Sequence, residues 1–187
     1  MAFEWWNGRR RERDRRERER EALEAEVRER ACAVVRAIAE PLVAEDAAEL
    51  DWLDADPDTG ARPRVAMQPR RGGAVTVEVC PGAFWVVLQF ARFTGVVGPD
   101  GLEQDWGATE ELHSDRDGPD PDWDDQLRRI LEAVVDGGFS ELIEPERHGY
   151  LRTLTFRPCS GETLVRRSGY GGVEPGERRE TSFTGYR

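Results

Sequence analysis

The stretch Ala74–Phe93, AVTVEVCPGAFWVVLQFARF, sets the strongest limit on the fold. Val75, Val77 and Val79 alternate with Thr76 and Glu78, the period of a strand with one face buried. Cys80-Pro81-Gly82 breaks the run, because proline fixes φ and glycine permits a turn. Phe84–Leu88 is apolar at every position, and such a strand belongs inside a sheet covered on both sides. The segment predicts a central antiparallel hairpin that other elements bury.

Residues 9–22 hold no apolar side chain before Ala22. Arg10–Asp14, Glu12–Arg16, Arg13–Glu17, Asp14–Arg18 and Arg15–Glu19 stand four apart, pairs that each support a solvated helix by ~0.2–0.5 kcal/mol. The interleaved acids argue against nucleic acid, since phosphate binding calls for blocks of one sign. From Leu23 an apolar stripe begins: Leu23, Val27, Ala31, Val34, Val35 and Ile38, one helical face. The helix is expected over about Arg9–Ala39, its first half projecting. Pro41 marks a break or a new first turn, and Leu42, Val43, Ala47, Leu50, Trp52 and Leu53 read as a second helix over 41–53. Ahead of all this, Phe3, Trp5 and Trp6 either fold back onto the domain or anchor a partner.

Beyond the 54–63 loop, Val65–Met67 reads as a short edge strand. Gly98-Pro99-Asp100-Gly101 is a turn, Leu102–Trp106 a return strand, and 107–122 a long polar loop. Trp123, Leu127, Ile130, Leu131, Val134 and Val135 define an amphipathic helix, with Asp122 as its cap, Asp124 and Asp125 on its first turn, and Gly137-Gly138 as its stop. Phe139–Ile143, Tyr150–Phe156 and Glu162–Arg166 are strands. The fold class is α+β: a mainly antiparallel sheet with one packed helix after the first strand set, preceded by a long charged helix and a second short one. The expected units are 1–8 (aromatic), 9–53 (helices, with 9–22 solvated), 64–167 (the α+β domain) and 168–187 (a Gly/Glu-rich tail anchored by Phe183 and Tyr186).

The net charge of −11 is uneven. Residues 31–60 carry eight carboxylates against Arg36, and residues 99–126 carry eleven against Arg116. The second run admits three uses. It can be a solvated surface loop, a surface that mimics a polyanion and covers a basic site, or a calcium loop. For calcium, a frame from His113 places Asp115, Asp117, Gly118 and Asp124 correctly but puts histidine at position one. The polyanion reading selects Glu103, Asp105, Trp106, Glu110, Glu111, Asp115, Asp117, Asp120 and Asp122, with Trp5 and Trp6, as partner-binding residues. Arg70-Arg71 can meet phosphate or pair with acids of the same chain.

Catalytic chemistry finds little support. No G-x-S-x-G, P-loop or G-x-G-x-x-G occurs, and Gly169–Gly176 does not lead from a strand into a helix. Cys159 and His148 flank one strand, more in keeping with a buried cysteine and a turn histidine than with a catalytic pair. Cys32, Cys80 and Cys159 are odd in number and far apart, so they read as small hydrophobes or free thiols. No cofactor, metal site or catalytic set is expected. No run of ~18 apolar residues and no signal segment is found, so a cytoplasmic location is expected.

The run Leu127–Arg166, with LRRILEAVVDGGFSELIE, GYLRTLTF and GETLVR, resembles the C-terminal part of small bacterial immunity proteins that accompany polymorphic toxins. The shared pattern is an amphipathic helix, a glycine, a Phe-containing acidic strand and a β-hairpin. The Arg-rich helix and the aromatic N-terminus lie outside it, and no binding residue carries over. The resemblance implies a non-enzymatic inhibitor of a cognate toxin, and the acidic run makes a basic toxin domain the expected partner. The alternative is an assembly protein that makes homo-oligomers through its N-terminal helix.

Overall fold

A computed structural model of the chain describes residues 2–53, 63–81, 86–92, 97–98, 101–102, 105–111, 123–159, 161–171 and 177–187. Over 2–9 and 86–111, and at 168, 170 and 171, it describes the backbone alone. The architecture is α+β. Helix α1 (Ala2–Ala44) precedes β1 (Ala48–Leu53), β2 (Arg64–Pro69), β3 (Thr76–Pro81), β4 (Val86–Arg92), β5 (Val97–Gly98), β6 (Gly101–Leu102) and β7 (Asp105–Glu111). Helix α2 (Trp123–Val135) is followed by β8 (Phe139–Glu146), β9 (Gly149–Phe156), β10 (Leu164–Gly171) and β11 (Arg179–Ser182). The first sheet has the order β1-β2-β3-β4-β7 and the second β10-β9-β8-β11, while β5 and β6 pair alone across the expected turn. All pairings are antiparallel.

The expected central hairpin is β3–β4, flanked by β2 and β7. Helix α1 lays its stripe into the core: Val27, Ala31, Val34 and Val35 are buried, and Leu23 and Ile38 pack beside them. The helix is longer than the pattern predicts, about 65 Å at 1.5 Å per residue, because it starts at Ala2 rather than near Arg9 and does not break at Pro41. The proline removes one helical hydrogen bond, whose acceptor belongs to exposed Ala37. Fully buried Ala39 and Leu42 hold the last turns in register.

The second helix expected over 41–53 is a strand instead. Asp46 adopts φ 55°, Asp46 N–H donates to Val43 O at 3.1 Å, and Ala47 N–H donates to Leu42 O at 2.8 Å. This pair of bonds is the Schellman stop. After it, AELDWL alternates along β1, which takes the sheet edge expected for Val65–Met67. β2 lies one strand inside, with Val65, Ala66 and Met67 all buried.

Helix α2 buries Trp123, Leu127, Ile130, Leu131, Val134 and Val135, as its period predicts, and packs on α1 and β9. Arg30 of α1 clamps its first turn, 2.8 Å from Asp124 and 4.9 Å over the Trp123 ring. The Arg30 hydrogen bond holds the Asp124 carboxyl below the usual range. Gly137 at φ 77° ends the helix where expected, with Gly138 N–H donating to Ala133 O at 2.7 Å.

The described strands within 168–187 pair into the second sheet. β10 runs to Gly171, and β11 adds an edge to the second sheet by pairing with β8. The last residues then bind every layer. Phe183 stacks on Phe139 (4.9 Å) and its N–H donates to Phe139 O; Thr184 N–H donates to Gly73 O, and Tyr186 N–H to Val135 O. The Tyr186 hydroxyl, fully buried, lies 2.7 Å from Val75 O and 2.9 Å from Met67 O. Arg187 pairs with Glu45 at 2.9 Å.

Candidate partner-binding surface

The acidic run divides among β7, the first turn of α2, which holds Asp124 and Asp125, and residues outside those described. Asp105, Trp106, Glu110 and Glu111 lie on β7, the last strand of the first sheet. The return strand expected at 102–106 thus sits at 105–111, and the loop expected from 107 starts no earlier than 112. β7 has no apolar alternation to announce it; as an edge strand it is specified by main-chain pairing to β4. Gly107 is the extra residue of a bulge, since Phe90 faces Ala108 while Ala91 faces Trp106. Asp105 stands opposite Arg92, and Glu110 and Glu111 stand opposite Leu88 and Val87.

Glu103, Asp115, Asp117, Asp120, Asp122 and the frame from His113 lie outside the described residues, except Asp124 in α2. Trp5 and Trp6 stand on the opening turns of α1, about 25 Å along the axis from Leu23. From 10 to 22 that helix is exposed apart from half-buried Glu12. Arg15 and Arg16 ion-pair with Glu12 at 2.9 and 3.0 Å, and Arg15 with Glu19 at 3.8 Å. The continuous backbone carries the aromatic turn away from the core rather than folding it back.

Two buried carboxylates escape the sequence pattern. Glu78, which alternation assigns to solvent, is 5 % exposed on β3, beside buried Thr76 and Ala66. Its partner is Arg64, with Nη1 3.5 Å from Oε2. Burial raises the Glu78 pKa above its ordinary 4.5, and Asp51 adds to the rise while Arg64 opposes it. The native state therefore binds more protons than the unfolded chain just above pH 4.5, and stability falls as pH rises through that window. Glu78→Gln is expected to be as stable as the wild type or more so at pH 7, with a shallower loss between pH 4.5 and 7 in urea titrations. A variant weaker than the wild type at pH 7 and less so at pH 4.5 would mean that the Arg64 contact outweighs burial. Glu141 on β8 is 2 % exposed and pairs with Arg152 of β9 at 2.9 Å.

The candidate thiol–imidazole pair does not form. His148 precedes β9 and Cys159 follows it, so the strand holds them roughly 25 Å apart. Cys159 is exposed rather than buried, and its hydrogen bond to Asp136 keeps the thiol pKa high. Burial pushes the Cys80 thiol up to about 11 and raises that of Cys32, whereas a nucleophile needs a thiolate. All three are free. Arg70 pairs within the chain, to Asp46 at 3.1 Å and Glu49 at 2.6 Å. Among the described residues, no group of three or more His, Cys, Asp or Glu is placed to hold a metal ion. No described helix is long and apolar enough to cross a membrane. Compared with protein-family models, curated proteins and solved structures, the chain matches none.

Proposed function

We propose that this is a non-enzymatic bacterial binding protein of the cytoplasm, of the immunity or inhibitor type, which covers a basic toxin domain with its acidic surface. The observation that carries the reading is β7. It is a terminal strand, so one side of its backbone is free of strand pairing among the described residues, and its sequence includes Asp105, Glu110 and Glu111, part of the most acidic run of the chain. Clustered charge along an edge strand would steer an oppositely charged partner and set its register. The resemblance over 127–166 points the same way.

The test is co-expression with the toxin-domain product of a neighbouring gene. A 1:1 complex is expected that dissociates as salt is raised. Glu110→Arg with Glu111→Arg is expected to weaken it at least tenfold, mainly through the association rate. Absence of any complex would remove the reading.

A second reading, homo-oligomerisation through the helix, draws on the exposed arm of residues 10–22 and its aromatic tip. It predicts that deleting residues 1–22, which spares the buried stripe from Val27 onward, changes the sedimentation coefficient from oligomer to monomer. An unchanged oligomeric state would dispose of it.

A further inference from the structure

The opposite edge of the first sheet offers a surface that the acidic run of residues 99–126 does not include. β1 is the other terminal strand. In an antiparallel strand, alternate main-chain groups point away from the paired neighbour, so an edge strand offers a row of donors and acceptors. A groove of about 500 Å³ runs along β1 from the end of α1, with Val43, Asp46, Leu50, Asp51 and Gln68 in its walls.

The side chains of β1 sort cleanly by face. Ala48, Leu50 and Trp52 share a register with Pro69, Met67 and Val65 of β2, on the face that α1 covers. Glu49 and Asp51 point the other way, in register with Gln68 and Ala66, and both are exposed. The covered face is incompletely covered at its margin. Val43 is 44 % exposed and Trp52 41 %, two large apolar side chains at one edge of the molecule. Arg36 lies 4.9 Å over the Trp52 ring and leaves the rest of it open. Arg70 neutralises Asp46 and Glu49 in part, while Asp51 has no ion pair among the described residues.

We propose that β1 takes up an extended segment of a partner protein that alternates basic and apolar residues, added as a sixth strand. Main-chain bonds to β1 would supply affinity, and the two faces would supply specificity. Basic side chains would fall beside Glu49 and Asp51, and apolar ones beside Leu50, Trp52 and Val43. A second copy of this chain is the poorer occupant. Pairing β1 with itself would bring two sets of Glu49 and Asp51 together on one sheet face, and like charges across strands destabilise. The same charges protect the edge from self-association. The proposal is independent of the β7 reading, and either can fail alone.

The test uses the full chain and a fluorescein-labelled peptide, Arg-Val-Arg-Val-Arg-Val, read by anisotropy at low salt. Saturable binding is expected. Asp51→Lys is expected to weaken it at least tenfold, and Trp52→Ser to weaken it severalfold; both positions are exposed, so far-ultraviolet circular dichroism should be unchanged. Methylating alternate backbone nitrogens of the peptide should cost at least tenfold, since it removes strand pairing and keeps the charge. Glu110→Arg with Glu111→Arg should leave binding intact. Equal binding of the methylated peptide would overturn strand addition, and equal binding of Asp-Val-Asp-Val-Asp-Val would overturn the charge assignment. Loss of binding only in the β7 double variant would move the peptide to the other edge. A dimer in sedimentation that Trp52→Ser reduces to monomer would give β1 to a second copy and also overturn the proposal.

Discussion

Tyr186→Ala is expected to lower the unfolding free energy by about 3–5 kcal/mol, a large share of the ~5–15 kcal/mol that holds a domain of this kind together. The side chain is fully buried, one residue from the end of the chain described here. Its ring fills the space between the end of α2 and the β2–β3 connection, and its hydroxyl proton is shared between Val75 O and Met67 O. Removing it opens a cavity and takes a donor from two carbonyls, costs that add. Tyr186→Phe keeps the packing and loses only the hydroxyl, so a smaller loss of about 1–3 kcal/mol is expected. Gly185 sets the approach: a Cβ there would lie 2.5 Å from Val135 O. Urea unfolding of the three proteins, followed by circular dichroism, checks the order. Equal stability of wild type and Tyr186→Ala would show that the closing segment rests on the core without holding it.

What the sequence discloses depends on how each element earns its place. Both helices and the β3–β4 hairpin advertise themselves through period, because each buries one apolar face. Leu42, Val43, Leu50 and Trp52 satisfy a helical period and a strand period alike. What decides between them is a left-handed turn at Asp46, where no glycine marks the stop. β7 and β11 are edge strands rich in charge, specified by pairing with β4 and β8 rather than by any pattern of their own. Phe183 and Tyr186 read correctly as anchors, but the strand just before them does not. Of the expected partner-binding residues, Asp105, Trp106, Glu110 and Glu111 come together on one strand, while Trp5 and Trp6 stand on the far end of α1. Alternation places Glu78 outside, because the pattern reports only one face of a sheet and says nothing of what covers the other.

Arg152→Met is expected to destabilise the protein by about 3–5 kcal/mol, and the double variant Glu141→Leu with Arg152→Met to recover most of that loss. The reason was present in the registers of two strands. Phe139, Glu141 and Ile143 share one face of β8, and Tyr150, Arg152, Leu154 and Phe156 share the matching face of β9. A carboxylate and a guanidinium thus occupy apolar positions on adjacent strands, beside the stacked rings of Phe139 and Phe156 at 5.0 Å. Glu141 is 2 % exposed and the Arg152 side chain 12 %. Desolvation of two charges consumes most of what their attraction returns, so the pair as a whole contributes little. Removing one member is a different matter, since it takes from the remaining buried charge the opposite charge that offsets its desolvation. The double-mutant cycle separates the two cases, because only a coupled pair gives singles whose losses far exceed that of the double. If the double variant is as unstable as Arg152→Met alone, Glu141 is held by its other neighbours. The pair would then be a consequence of the packing of the second sheet rather than a constraint on its register.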